Sequence, residues 1–117
     1  MTLSSVNDEA IIRLNVGGNS FSTLYRTLYQ STYFQNLLEG VMENKTTTSD
    51  GAVFIDRDAN LFRDVLLYLR TSTIFTRNYH KLHCLLLEAQ FYQIDEMEQQ
   101  AVNLIELQAV AFIAREE

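Results

Sequence analysis

The sequence predicts an α+β domain in which a small mixed sheet of about three strands is capped by four to five helices. Three observations support this prediction: a hairpin-like pattern near the start, a short apolar strand in the middle, and several segments with the 3.6-residue period of amphipathic helices. The strands and helices do not alternate regularly along the chain. This order favours a small sheet covered by helices.

The first strand and its return form a predicted hairpin. Ile12, Leu14 and Val16 fall at every second position, which is the period of a half-buried strand. The segment Gly17–Asn19 supplies a tight turn, because glycine and asparagine tolerate positive φ. Phe21–Leu24 is then expected to return as the second strand.

The next segment predicts a short helix and then a polar loop. Thr32–Gln35 matches a capping box, in which the threonine side chain accepts a hydrogen bond from the first turn and the glutamine reaches back. Gly40 stands where a C-terminal glycine is expected, and Met42–Gly51 is predicted to be an exposed, mobile loop. The apolar face of this helix comprises Phe34, Leu37, Leu38 and Val41.

A strand over Val53–Asp56 leads into a helix over Leu61–Arg70. A connector, Thr71–Asn78, follows, with a brief extended piece expected at Thr73–Phe75. Another helix is predicted over Tyr79–Tyr92, because its leucines repeat at helical spacing. The stripe of the Leu61–Arg70 helix comprises Phe62, Val65, Leu66 and Leu69.

From Asp95 onward the pattern is helical again, and Val102–Ile113 is apolar on more than one face. Such a helix must be covered by a partner or by the remainder of a longer protein. We therefore divide the chain into a flexible N-terminus at residues 1–9, a domain at 10–95 and a C-terminal helix at 96–117.

Composition argues against several classes of protein. The 117 residues suit one globular domain, being 47% hydrophobic and 21% charged. The net charge of −6 and the scattered basic residues argue against binding to nucleic acid or to an acidic membrane surface. No apolar run approaches the ~18 residues needed to insert into a membrane. The single cysteine fits a reducing compartment, so a cytoplasmic location is predicted.

No group of residues has the pattern of an enzyme or cofactor site. His80, His83 and Cys84 are close in sequence, but a structural zinc site needs four ligands and the chain has no other His or Cys. Gly17-Gly18 follows a strand without the spacing of a phosphate-binding loop. We predict no catalytic residue, no metal and no cofactor.

The segment Asp56-Arg57-Asp58, called the Asp-Arg-Asp segment below, lies between two core-forming elements. One interpretation is a solvated helix start with Asp58 or Asn60 as the N-cap. The other is a subunit contact in which alternating charges pair with a neighbouring copy. An arginine between two aspartates argues for ion pairing rather than for acid–base chemistry, because a nearby cation favours the charged form of a carboxylate. Spacing alone does not separate the two interpretations.

Four blocks, in order, resemble the potassium-channel-tetramerisation class of BTB/POZ domains. Leu14–Leu28 is similar to the opening LNVGGxxFxTxxxTL, and Tyr33–Gly40 to the SxFxxLLxG helix. Phe54–Thr71 is similar to the block FIDRDxxxFxxILxYLRT, and Leu86–Ile94 to the closing LLxEAxFYxI. The resemblance runs from about Ile11 to Asp95, which is most of the chain.

The FIDRD and YLRT motifs resemble the soluble, KCTD-type branch more than the voltage-gated channels. The resemblance implies the BTB/POZ fold and a non-enzymatic homo-oligomer, a tetramer or pentamer, that acts as an adaptor. Cullin-3 ubiquitin ligase is the implied partner. The alternatives are an assembly domain of a voltage-gated potassium channel and a cullin-independent scaffold that recruits another signalling enzyme.

The resemblance also implies site residues. It favours a subunit contact for the Asp-Arg-Asp segment, with Asp58 able to serve in both roles. The connector lies near the region that several relatives use for partner contacts. The implied oligomer interface comprises Phe54, Asp56, Arg57, Asp58, Arg13 and Asn15. The implied partner-contact region comprises Tyr68, Phe75 and Arg77.

Overall fold

Three strands and five helices follow one another along the part of the chain that the computed structural model describes, residues 8–40 and 46–116. This arrangement confirms the predicted fold class. The elements are β1 Ile11–Val16, β2 Asn19–Leu24, α1 Tyr25–Leu28, α2 Thr32–Leu38, β3 Val53–Ile55, α3 Ala59–Thr71, α4 Tyr79–Phe91 and α5 Asp95–Glu116.

The sheet is mixed, with β1 in the centre of the order β2-β1-β3. β2 pairs antiparallel with β1 through the predicted hairpin, whose turn contains Gly17 at φ 58° and Gly18 at φ 103°. β3 pairs parallel with β1. Parallel pairing needs a long crossover, and the chain between β2 and β3, which contains α1 and α2, supplies it.

The core lies on one face of this sheet. Leu14, Val16 and Ile55 point to that face and are at most 3% exposed. The Phe62 ring of α3 packs against Phe21 of β2 with its centroid 5.0 Å away and the rings nearly perpendicular. The helices thus cover the inner face of the sheet. The largest fully buried side chains include Tyr92, Phe34, Phe62, Leu14, Leu28, Leu82, Leu85 and Met97.

The cap of α2 differs from the prediction. The N-cap is Ser31, and Thr32 is the first helical residue, so the predicted capping box is wrong by one position. The Ser31 hydroxyl accepts from the Phe34 N–H at 3.1 Å and donates to the Tyr92 carbonyl at 2.6 Å. This second contact, with a residue distant in sequence, makes the buried serine the better cap.

Helix α1 was not predicted, and two predicted segments lie only partly within the described residues. Helix α1 has a single turn, too short to show a helical period, so the sequence patterns do not predict it. Residues 1–7 and 41–45 lie outside the described part, and with them Val41 and parts of the predicted N-terminus and polar loop. Of the remaining N-terminus, Glu9 pairs with Arg26 at 2.9 Å. Of the remaining loop, Thr47 forms an antiparallel bridge with Val53.

The connector between α3 and α4 is irregular, and the extended piece expected at Thr73–Phe75 does not form a strand. Side chains of α5 form hydrogen bonds with the backbone of this connector. Gln100 accepts from the Ile74 N–H at 2.6 Å, and Gln108 donates to the Arg77 carbonyl at 2.9 Å. The connector and α5 therefore form one unit.

Helix α5 is buried only at its start. Met97 and Ala101 are fully buried, whereas the second half of the helix is largely exposed. No helix within residues 8–40 and 46–116 combines the length and the hydropathy needed to span a bilayer. The exposed large apolar residues of α5 are Leu107, Val110, Phe112 and Ile113, at 58–64% exposure.

Candidate functional site

The sheet face opposite the core, called the outer face below, displays three of the predicted interface residues. Asn15 lies beside Phe54 in the parallel register of β1 and β3. Arg13 lies two residues before Asn15 and therefore on the same face. Two exposed serines of β2, Ser20 and Ser22, stand opposite Asn15 and Arg13. The outer face is thus polar around a half-buried phenylalanine.

The two polar side chains of β1 already have partners within the chain. The Arg13 guanidinium pairs with the Asp50 carboxylate at 3.2 Å and also donates to the Asp50 carbonyl. Hydrogen bonds from the Thr48 hydroxyl and the Ala52 N–H, and then the Arg13 guanidinium, hold the pKa of Asp50 below its ordinary value. The Asn15 side chain accepts from the Gly18 N–H at 2.8 Å and so stabilises the hairpin turn.

Arg57, the middle residue of the Asp-Arg-Asp segment, is bound within the chain. Its guanidinium donates to both carboxylate oxygens of Glu88, at 3.2 and 2.5 Å. It also lies over the ring of Phe91, 4.2 Å from the centroid. The hydrogen bonds to Glu88 raise the pKa of Arg57 above its ordinary value. Arg57 therefore ties the start of α3 to α4.

The ion pair between Arg57 and Glu88 is not an ordinary surface contact, because the Glu88 carboxylate is buried. Glu88 is 5% exposed and lies one turn before Tyr92 at the end of α4. Burial, and then the nearby Glu88 carboxylate, raise the pKa of Tyr92 well above its ordinary value. A buried carboxylate requires a partner, because an uncompensated charge in a core is costly. Arg57 supplies that partner.

The backbone of the same segment is held by the hairpin. The Gly17 N–H donates to the Ile55 carbonyl at 2.9 Å. A Cβ on Gly17 would lie 2.4 Å from the Arg57 carbonyl oxygen. Only glycine allows this approach, so the turn of the hairpin and the Asp-Arg-Asp segment are in direct backbone contact.

The two aspartates of the segment differ in their surroundings. Asp58 is the N-cap of α3, and its side chain accepts from the Leu61 N–H at 2.9 Å. Asp56 is exposed and makes no hydrogen bond or ion pair with any residue of the described part of the chain. The helix-cap interpretation is thus confirmed for Asp58, while Asp56 is left available for an external contact.

The three residues predicted to contact a partner are not equivalent. Tyr68 is 5% exposed and belongs to the core, so its side chain is not available to a partner in this structure. Phe75 is 61% exposed on the connector. The Arg77 guanidinium is exposed and donates to the carbonyls of Ile74 and Thr76 at 3.0 and 2.9 Å. Phe75 and Arg77 remain candidates.

Sequence patterns do not reveal the residues that hold these sites in place. Glu88 falls three residues after Leu85 on the apolar side of α4, and a carboxylate at such a position was the available signal of a buried ion pair. Gln100 and Gln108 are about two helical turns apart on α5. As polar residues of a partly exposed helix, they carry no comparable signal. Their role depends on the path of the connector.

The histidines and the cysteine of α4 form no larger cluster. The Cys84 sulfur lies 3.7 Å from His80 Nε2, one helical turn away. The His83 ring packs against Tyr79 with centroids 4.7 Å apart. In the ranges that the structure describes, no three His, Cys, Asp or Glu side chains are grouped to hold a metal ion.

Comparison with known proteins is consistent with this geometry. The chain is 39% identical over 99 residues to SH3KBP1-binding protein 1 of Bos taurus, which covers 83% of this chain and 14% of that protein. It is 36% identical over 100 residues to the BTB/POZ domain-containing protein KCTD3 of Homo sapiens, covering 84% of this chain and 12% of that protein. KCTD21 of Homo sapiens is 36% identical over 90 residues, covering 74% and 34% respectively.

The chain therefore spans no more than about a third of the length of these relatives. The profile of the BTB/POZ domain family matches residues 12–102, well over half of the chain. The match includes β2, β3, all of β1 except its first residue, the first four helices and the start of α5. The chain belongs to the BTB/POZ family, and it is a protein-interaction domain of the potassium-channel-tetramerisation type.

Proposed function

We propose that this chain assembles with copies of itself through the outer face and Asp56, and that the assembled domain acts as a non-enzymatic adaptor. The observation that supports this most directly is the contrast within the Asp-Arg-Asp segment. Arg57 and Asp58 are engaged inside the chain, whereas Asp56 is exposed beside them without a partner in the described residues. An exposed carboxylate whose two sequence neighbours are fixed within the chain is suited to pairing with a cation of a neighbouring copy.

The outer face has the composition expected of such a contact. Phe54 supplies an apolar centre, and Arg13, Asn15 and the β2 serines supply a polar rim. Polar groups of this kind fix the register between copies and exclude wrong partners more than they add affinity. Because Arg13 and Asn15 are held by contacts inside the chain, they would meet a neighbour already oriented.

The first prediction concerns self-association. Asp56→Lys is expected to lower the mass of the assembly to that of one 13.5 kDa chain, because it places a cation where the neighbour presents one. Light scattering on the purified chain measures this mass. Glu106→Lys, the same charge change on an exposed residue of α5, is the control and should keep the parent mass. A monomeric parent, or an Asp56→Lys variant of unchanged mass, would disprove the interface.

The second prediction concerns the adaptor role. The resemblance to the KCTD-type branch supplies cullin-3 as the candidate partner, and Phe75 supplies an exposed apolar contact. We expect Phe75→Asp to weaken binding of purified cullin-3 by about tenfold or more in calorimetric titration. Leu87→Asp, an equally exposed leucine on α4, is the control and should bind like the parent. A parent chain that does not bind cullin-3 would favour the cullin-independent scaffold.

A further inference from the structure

Strand β2 forms one edge of the sheet, and half of its backbone groups point away from its neighbour. Within the residues that the structure describes, β2 pairs with β1 alone. The two-residue loop makes Val16 and Asn19 a hydrogen-bonded pair, and bonded and non-bonded pairs then alternate along the two strands. Ser20 and Ser22 fall at non-bonded positions. Their N–H and C=O groups therefore face outward along what is called the open edge below.

The opposite edge of the sheet is covered by the chain itself. The Phe54 N–H donates to the Thr46 carbonyl at 2.7 Å beside β3. At the open edge, the described residues contribute one side chain in place of a strand, because the Arg70 guanidinium donates to the Ser22 carbonyl at 3.0 Å. Backbone groups exposed in this way are a template for pairing with a strand of another chain.

Two arginines of α3 border the open edge. Arg63 and Arg70 are seven residues, or about two turns, apart and therefore lie on the same side of the helix. The Arg63 guanidinium is 5.5 Å from the centroid of the Phe21 ring, and that of Arg70 contacts Ser22. Both residues are exposed, and neither pairs with a carboxylate of the described part of the chain. The open edge thus carries two positive charges in a chain of net charge −6.

An apolar contact is available at the end of the same edge. Ile11 is 70% exposed and stands opposite Leu24 in the register of β1 and β2. Glu9, two residues before Ile11, pairs with Arg26 at 2.9 Å. A shallow groove of about 390 Å³ lies here and is lined by Ile11, Ser22, Thr23, Leu24, Thr27 and Arg70. The groove therefore combines exposed aliphatic surface with one of the two arginines.

We propose that the open edge binds an extended segment of another protein, in which carboxylate and aliphatic residues alternate, as an added antiparallel strand. Side chains of a strand alternate between its faces, so the carboxylates meet Arg63 and Arg70 and the aliphatic residues contact Ile11 and Leu24. The β2 strand of a second copy does not fit, because pairing about Ser22 would place the two copies of Arg70 side by side. The added strand continues the sheet and leaves the outer face uncovered, so the proposal does not depend on self-association.

The test measures, by fluorescence anisotropy at low ionic strength, how labelled peptides of about eight residues bind the whole chain. One peptide alternates glutamate and valine, and the other has lysine in place of each glutamate. We expect the glutamate peptide to bind at least about tenfold more tightly than the lysine peptide. Arg70→Met and Arg63→Met should each weaken its binding about threefold, because each removes one exposed charge pair. Arg77→Met, which removes an exposed arginine that also donates to a backbone carbonyl, is the control and should bind like the parent.

Methylated backbone amides separate strand addition from the attraction of charges alone. An antiparallel strand bonds its neighbour through every second residue, and the residues opposite Ser20 and Ser22 are the valines of the peptide. Methylation of the valine nitrogens should therefore weaken binding by about tenfold or more, whereas methylation of the glutamate nitrogens should preserve most of it.

The Asp56→Lys variant should bind the glutamate peptide like the parent, whether or not it remains assembled. The proposal would be overturned by equal affinity for the glutamate and lysine peptides, or by an equal effect of methylation at the two kinds of residue. Absence of binding would also overturn it, and would assign Arg70 the role of keeping other strands away from the edge.

Discussion

Replacing Arg57 by methionine is expected to lower the free energy of unfolding by about 3 kcal/mol. The substitution keeps much of the side-chain volume over Phe91 but leaves the Glu88 carboxylate buried without its cation. Arg57 is itself partly exposed, with 30% of its side chain accessible, so the low end of the range for a broken buried pair applies. Urea unfolding at a fixed protein concentration measures the loss, since assembly would make stability depend on concentration.

A second variant separates the lost ion pair from other effects of the substitution. The double variant Arg57→Met with Glu88→Met removes both charges and should recover most of the lost stability. Arg63→Met is the control for an exposed arginine near an aromatic ring, because Arg63 lies 5.5 Å from the Phe21 centroid, and it should cost less than about 1 kcal/mol. A double variant no more stable than Arg57→Met would contradict the role of the pair.

Replacing Gly17 by alanine is expected to destabilise the fold by about 3 kcal/mol through two effects. The residue has a φ of 58°, which disfavours any L side chain, and the new Cβ would meet the Arg57 carbonyl oxygen at 2.4 Å. The carbonyl oxygen belongs to the backbone and the position of a Cβ is fixed by the backbone, so neither atom can turn away. The strain must therefore separate the hairpin turn from the Asp-Arg-Asp segment or distort both. Thermal or urea unfolding of the variant measures this cost.

Gly40→Ala provides the comparison for backbone strain alone. Gly40 has a φ of 78°, but a Cβ built on it has no neighbour within 4 Å in the described part of the chain. Its replacement should cost about 1 kcal/mol, the penalty for a left-handed conformation without a clash. Equal losses for Gly17→Ala and Gly40→Ala would show that the contact with Arg57 contributes nothing.

Both stability predictions concern contacts that fix the position of the Asp-Arg-Asp segment, and therefore of Asp56. Gly17 holds the segment from the side of the sheet, and Glu88 holds it from the side of α4. If Asp56 contacts a neighbouring copy, Arg57→Met and Gly17→Ala should also weaken assembly, because they disturb the segment that carries Asp56. Asp56→Lys is therefore the cleaner test of self-association than a substitution of Arg57, whose main partner is inside the chain.

The periodic elements could be predicted from the sequence because their apolar residues follow the geometry of a strand or helix. Leu14 and Val16 at every second position, and Phe62, Val65, Leu66 and Leu69 at helical spacing, are buried as expected. The residue motifs also led to the correct family. Short elements, and features that depend on contacts between distant residues, could not be predicted in this way. Helix α1 has one turn, and the cap of α2 depends on a hydrogen bond between Ser31 and Tyr92, 61 residues apart.

The sequence by itself thus determined the periodic elements, their order and the family, because local periodicity and motif spacing are properties of neighbouring residues. Tertiary structure alone decided how the Asp-Arg-Asp segment is used. Its three charged residues are adjacent in sequence, but folding brings Arg57 to Glu88, 31 residues away, uses Asp58 to cap its own helix and leaves Asp56 exposed. Whether a charge is paired, capping or free depends on which chain segments meet, and that is set by packing rather than by spacing.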